Sequence, residues 1–263
     1  MVSSIQHRRN EISKLVNQKN YVEISDLSNR FNVSEMTIRR DLEKMENEGL
    51  LIRVLGGAKP IQKSFVEDNL NLRASENLLS KQVMAREAIK LIQDGDVIGF
   101  DASTSAAEVA KLVKDLKNIT VVTNNITIAL DLISSEITTI LLGGYVRPNS
   151  ISTMGTSLKK YMESINIDKM FISARGLTLQ EGLTDSTIDE GEAKQAMIHK
   201  SNHIIALVDH SKIGVKKLFQ VIPSDEINTI IVNEYDSFTE EQKEVISEFK
   251  RNHLDFRLIK NDE

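Results

Sequence analysis

Apolar residues in the first fifty positions recur at helical spacing, whereas from position 97 short apolar runs alternate with helical stretches. Ile5, Ile12, Leu15 and Val16 share one face and predict a helix over 4–18. Ile24, Leu27 and Phe31 fall at i, i+3 and i+7, which predicts a second helix with Ser25 as its N-cap. Phe31-Asn32-Val33 reads as a tight turn, and Ser34 as the cap of a third helix from Glu35 to about Glu48. In that helix Ile38, Leu42 and Met45 face inward, and Gly49 stops it. Residues 50–54 have strand character, Gly56-Gly57 turns the chain, and 58–59 return as a second short strand. Positions 1–60 thus read as helix, helix, turn, helix and a β-ribbon.

Residues 61–76 lack a strong period and read as a linker. Across 77–263, helices are expected at 78–93, 106–117, 126–134, 191–200 and 240–252. Strands are expected at 97–100, 119–123, 138–142, 170–174, 204–208, 227–232 and 255–259. This alternation indicates an open, mainly parallel α/β domain with its sheet covered on both faces.

Composition narrows the partners. A chain of 263 residues, 40% hydrophobic and 27% charged, buries one large core or two modest ones, which excludes a disordered or fibrous protein. With no cysteine, there is no disulfide framework, Cys-based zinc site or thiol nucleophile. MVSSIQHRRN lacks a signal-peptide apolar core, and no stretch has the apolar length of a membrane span, so a cytoplasmic protein with no membrane partner is expected. The formal net charge of -5 hides an asymmetry: residues 1–60 carry ten Lys/Arg against eight Asp/Glu, and the remainder is net negative. The two parts are expected to face different partners.

A helix-turn-helix places its second helix in the DNA major groove. Here that helix carries Ser34, Glu35, Thr37, Arg39, Arg40 and Lys44. Arginine pairs bidentately with guanine, and hydroxyls reach bases or phosphates. Adjacent Arg39 and Arg40 point in different directions, so one is expected to read bases and the other to hold phosphate. Arg53 and Lys59 on the ribbon are placed for the flanking backbone. The competing interpretation is a small helical domain with a solvated basic face. The ordered combination of turn, capped helix, Arg pair and Gly-Gly ribbon favours double-stranded DNA.

The run Ser34-Glu35-Met36-Thr37-Ile38-Arg39-Arg40-Asp41-Leu42, followed by Glu48-Gly49-Leu50, Arg53 and Gly56-Gly57-Ala58, resembles the DNA-binding signature of DeoR-type bacterial transcription repressors. Asp94-Gly95-Asp96, Thr123-Asn124, Leu142-Gly143-Gly144 and positions 209–212 resemble that family's sensor domain. The resemblance implies a winged helix-turn-helix joined to a domain related to ribose-5-phosphate isomerase, responding to a phosphorylated sugar or related metabolite. The related isomerases use an acidic residue in a segment comparable to 182–194, which implicates Glu192 and Lys194. The family loop usually reads Asp-x-Gly-Thr-Thr. This chain has Ser103 and Ser105 at the third and fifth positions, which removes the conformational freedom of that glycine.

The residues point to a ligand crevice independently, because open α/β sheets bind ligands beyond the carboxyl ends of their strands. Five expected strands end in polar or Gly clusters: Asp101 to Ser105, Asn124-Asn125, Gly143-Gly144, Arg175-Gly176, and Asp209 to Lys212. The hydroxyls of Ser103, Thr104 and Ser105 and the free N–H groups of a helix start suit a phosphate. Lys212 or Arg175 supplies positive charge. Asp101 either bonds a ligand hydroxyl or orients the loop. Alternatively, Ser103 or Thr104 merely caps the helix, and the acidic stretch Glu181, Asp185, Asp189, Glu190 and Glu192 is a solvated loop.

His199 and His203 at i, i+4 lack the acidic partner of a zinc motif and are expected at a helix end. No metal or cofactor is expected. The expected function is a homo-oligomeric repressor of carbohydrate-metabolism genes, not an enzyme. The rival is a sugar-phosphate isomerase with an accessory domain, for which a paired catalytic base and acid is missing from the strand ends.

Overall fold

The computed structural model describes residues 4–19, 21–48, 50–60, 70–252 and 255–260. Gly49 and positions 61–69 of the expected linker lie outside the described residues. The chain divides into two compact units, Met1–Leu72 and Arg73–Glu263.

The first unit runs α1 (Ser4–Lys19), β1 (Val22–Glu23), α2 (Ile24–Phe31), α3 (Glu35–Asn47), β2 (Ile52–Val54) and β3 (Gly57–Lys59). Its core joins Ile12 and Val16 of α1, Leu27 of α2 and Ile38, Leu42 and Met45 of α3, with Leu51 and Ala58 from the ribbon. The turn after α2 forms as expected. Asn32 adopts φ 50°, the left-handed conformation that asparagine tolerates, while Val33 N–H donates to Ser28 O and Ser28 Oγ donates to Val33 O. Ser34 Oγ accepts from Thr37 N–H at 3.2 Å and caps α3.

Two expectations fail here. Ser25 does not cap α2. Glu23 holds the N-cap position without a side-chain bond, and Ile24 N–H donates to Gly56 O at 3.0 Å. The ribbon backbone thus satisfies one of the orphan N–H donors of the helix start. The ribbon also gains a third strand, in the order β1-β3-β2. A two-residue strand is too short to show a period, which is why β1 escapes the pattern. Gly57 permits this pairing, since a Cβ there would sit 2.1 Å from Val22 O.

The second unit begins with α4 (Leu70–Ser75), which crosses the boundary, and α5 (Leu78–Ala88). The end of the expected linker is therefore helical. Then follow β4 (Val97–Phe100), α6 (Thr104–Leu112), β5 (Thr120–Thr123), α7 (Ile126–Leu132), β6 (Thr138–Leu141), β7 (Tyr145–Arg147), β8 (Ser152–Met154), α8 (Thr156–Met162) and β9 (Ile167–Ile172). The chain continues through β10 (Gly176–Thr178), β11 (Gly182–Asp185), α9 (Ile188–Ile198), β12 (Ser201–Val208), β13 (Phe219–Ile222), β14 (Thr229–Asn233), α10 (Glu240–Asn252) and β15 (Phe256–Ile259).

Seven strands form one parallel sheet in the order β15-β14-β12-β9-β4-β5-β6. Successive side chains of a strand point to opposite faces, so a strand covered on both sides reads as a continuous apolar run. In β12, Ile204, Ala206 and Val208 enter one core while Ile205 and Leu207 enter the other. Helices α8, α9 and α10 cover the first face, and α5, α6 and α7 the second. The hairpin β7-β8 and the antiparallel sheet β10-β11-β13 stand apart from the main sheet. Neither was legible, being built of strands of three or four residues, too short to show a period.

Candidate functional site

On α3, Arg39, Arg40 and Lys44 are exposed, and the core residues lie on the opposite side. Arg40 and Lys44 make no side-chain hydrogen bond or ion pair among the described residues, whereas Arg39 meets Glu35 at 3.5 Å. Thr37 Oγ1 lies 2.9 Å from Ser34 Oγ, so both hydroxyls sit at the helix start. Arg53 is held by Glu46, which accepts from Nε at 2.7 Å and from the backbone N–H at 2.9 Å. Lys59, at the end of β3, is exposed. The pattern missed two features. Met36 is 60% exposed beside the arginines. Asp41, inward on the same helix, accepts from Arg8 Nε at 2.7 Å and Arg9 Nε at 2.8 Å, tying α3 to α1.

The parallel sheet reverses its strand order between β4 and β9, the point at which such sheets form a crevice. Asp101 follows β4 and Ser173 follows β9. Asp101 is fully buried: Oδ1 accepts from Ser103 N–H at 3.1 Å and Ser103 Oγ at 2.5 Å, and Oδ2 accepts from Ser173 N–H at 3.2 Å. Lys194 Nζ stands 3.3 Å from the same Oδ2. Both carboxyl oxygens of Asp101 are thus engaged within the protein.

Ser103 caps α6, accepting from Ala106 N–H at 3.1 Å. Its φ of -83° is ordinary extended backbone, so a serine takes the place of the family's glycine without strain. Thr104 Oγ1 donates to Arg73 O at 3.4 Å. Ser105 Oγ and Asn124 Oδ1, at adjacent strand ends, are buried without a hydrogen-bond partner among the described residues. Asn124 Nδ2 donates to Thr153 O. Thr123 Oγ1 donates to Phe100 O and accepts from Asn125 N–H, a purely structural bridge between β4 and β5. Gly144 is also structural, because a Cβ there would lie 2.1 Å from Met154 O; Gly143 is exposed. Arg175 donates its backbone N–H to Thr184 O and leads into β10.

Lys194 and Glu192 part company. Lys194 is buried, with Nζ 2.5 Å from Asp185 Oδ2 and 2.6 Å from Ser173 O. Burial pulls its pKa down, but Asp185, Asp101 and Glu190 outweigh it and hold the pKa above the ordinary lysine range. Glu192 instead pairs with Lys159 of α8 at 2.7 Å, half-exposed on the other side of α9. Helical spacing explains the split, since residues two apart do not share a face. The acidic stretch is likewise no solvated loop. It forms β11 and the start of α9, and Asp185 and Glu190 are buried.

Lys212 lies just beyond the carboxyl end of β12. Its Nζ donates to Ser173 Oγ at 2.9 Å and meets Asp209 Oδ2 at 3.2 Å. Burial raises the Asp209 pKa, yet Lys212 and Ser211 outweigh it and hold the carboxyl well below the usual range. Lys81 of α5, absent from the sequence-derived set, is buried beside this pair. It sits among other polar residues of the same helix, Gln82, Arg86 and Glu87, so the sequence does not mark it out. His199 is the C-cap of α9, but His203 lies in β12 with Nε2 2.9 Å from Thr229 Oγ1, and no metal-binding group occurs among the described residues. No helix among the described residues is long and apolar enough to cross a membrane.

Residues 8–64 match the DeoR-like helix-turn-helix domain, and residues 76–234 match the DeoR C terminal sensor domain. The HTH-type transcriptional regulator GolR of Listeria innocua serovar 6a is 34% identical over 227 residues, covering 86% of this chain and 89% of that protein. YulB of Bacillus subtilis, also an HTH-type transcriptional regulator, is 34% identical over 87% of this chain and 89% of its own length. GlpR of Haloferax volcanii, a third such regulator, is 31% identical over 86% and 89%. Both halves of the chain match in order, and the relatives match along nearly their whole length: the protein belongs to the DeoR family of DNA-binding transcriptional regulators.

Proposed function

We propose that this regulator represses carbohydrate-metabolism genes and leaves its operator when a phosphorylated sugar or related metabolite occupies the crevice at the carboxyl edge of the parallel sheet. The observation that carries the reading is Lys212: a cation at the end of β12, held by a serine hydroxyl and one carboxylate, beside a second buried lysine. A phosphate ester there gains charge-assisted hydrogen bonds that a neutral sugar does not. The unpartnered Ser105 Oγ and Asn124 Oδ1 offer further polar groups to the same ligand. An effector with unequal affinity for two arrangements of the protein shifts operator affinity by linkage. An isomerase reading is not favoured, because Asp101 already has both oxygens engaged.

Lys212→Ala is expected to bind operator normally but to need roughly 10- to 100-fold more effector for release, the value of a hydrogen bond to a charged group. Operator release titrated with a panel of sugar phosphates measures this. Release at wild-type concentrations throughout would remove the crevice assignment.

On DNA, Arg40→Ala is expected to weaken operator binding by about 1–3 kcal/mol if Arg40 reads a base, with specificity relaxed at one position. If Arg40 holds phosphate, all sequences weaken and the salt slope flattens. Arg39→Ala takes the complementary role. Anisotropy titrations at two salt concentrations separate the cases, and unchanged binding in both variants rejects the assignment of α3. One helix reads too few base pairs for a unique site, so an even number of copies per operator is expected on symmetric half-sites, as light scattering of the same complexes reports.

A further inference from the structure

The stretch 73–77 opens the sensor unit and carries the chain out of the DNA-binding unit. Its carbonyls are held from the crevice side. Lys81 Nζ donates to Arg73 O and, at 2.5 Å, to Glu76 O. Thr104 Oγ1, on the hydroxyl loop after β4, also reaches Arg73 O. Asn77, left-handed at φ 51°, donates Nδ2 to Asp209 Oδ1 at 2.9 Å and to Ser211 Oγ at 3.3 Å, both beyond β12. The same loops that supply Thr104, Asp209 and Lys212 to the proposed effector site therefore anchor the chain leading to the DNA-binding unit.

Lys81 is the exchangeable part of this anchor. It is 4% exposed, and its hydrogen bonds among the described residues go to neutral carbonyls, which do not balance a buried charge. Burial, then Lys212, bring its pKa down to about 8, with Asp209 and Glu76 opposing. An ammonium in that setting gains more from an anion than from the carbonyls it holds. We propose that Lys81 is a switch residue: it clamps the carbonyls of Arg73 and Glu76 in the effector-free protein, and an anionic effector at the ends of β4 and β12 takes its ammonium and frees the 73–77 stretch. The proposal rests on the effector reading above and adds the route by which occupancy reaches the DNA-binding unit.

Hydrogen exchange of peptides spanning 73–81 in the full-length protein tests it, alongside operator affinity. Without ligand, Lys81→Met is expected to speed exchange there at least tenfold and to bind operator as weakly as ligand-saturated wild type. Asn77→Gly keeps the left-handed backbone and removes the side-chain bonds to Asp209 and Ser211. It is expected to speed exchange in the same stretch while binding glucose 6-phosphate within twofold of wild type. Adding glucose 6-phosphate, ribose 5-phosphate or inorganic phosphate to wild type is expected to speed exchange at 73–81. Wild-type exchange in both variants overturns the clamp. Operator release by a phosphate compound with 73–81 unchanged or slowed overturns the switch but leaves the effector site standing. If calorimetry detects no binding by any of the three compounds, the effector site falls and the switch with it.

Discussion

Lys194→Met lowers the stability of the sensor unit by about 3–5 kcal/mol, the usual cost of removing one partner from a buried ion pair. The substitution keeps most of the side-chain volume, so packing is spared and the loss is electrostatic. Asp185 Oδ2 at 2.5 Å and Asp101 Oδ2 at 3.3 Å are left buried without their cation, and Ser173 O loses a donor. For a unit of this size the melting temperature falls by roughly 6–20 °C. The pH dependence follows from the raised pKa of Lys194. A raised lysine pKa contributes stability that is fully present below the ordinary lysine range and is lost only as pH climbs through the folded value. The wild-type contribution of Lys194 is therefore the same at pH 6 and pH 9. Calorimetric melts of wild type, Lys194→Met and the double variant Asp185→Asn/Lys194→Met check this, and the double variant recovers part of the loss. A single variant melting within about 2 °C of wild type would show that the carboxylates do not depend on Lys194.

Asp41→Ala costs the DNA-binding unit about 3 kcal/mol, because the carboxylate is 3% exposed and two arginines, each 14% exposed, converge on it. A unit of some 70 residues has little stability in reserve, so this is a large share of the total. Operator binding is lost through melting of α3 rather than through a missing contact. The transition of the first unit moves to lower temperature, and that of the sensor unit stays in place. Arg40→Ala behaves in the opposite way, weakening operator binding without moving either transition. Differential scanning calorimetry alongside operator titration distinguishes the two variants. An unshifted first transition in Asp41→Ala would mean that Arg8 and Arg9 contribute no net stability there.

The proposed DNA-binding surface was more legible than the proposed effector site, for a physical reason. Ser34, Thr37, Arg39, Arg40 and Lys44 lie within eleven consecutive residues, and a capped helix determines which of them share a face. The proposed effector residues come from loops far apart in sequence, and two neighbours in one acidic run, Glu192 and Lys194, end on different sides of α9. Lys81 gave no loop signal, because it reaches the crevice from within a helix.

Local spacing by itself determined the helix-turn-helix, the cap at Ser34, the seven apolar strands and the alternation that makes the sheet parallel, since each depends on periods of two or 3.6 residues. The tertiary structure alone decided what each charge does. Asp101, Ser173, Asp185 and Lys194 meet only because β4 lies beside β9 and α9 packs over them. Burial and partner choice then gave Lys194 the carboxylates of Asp101 and Asp185, engaged both oxygens of Asp101, and left Lys212 with Ser173 and Asp209 at the end of β12.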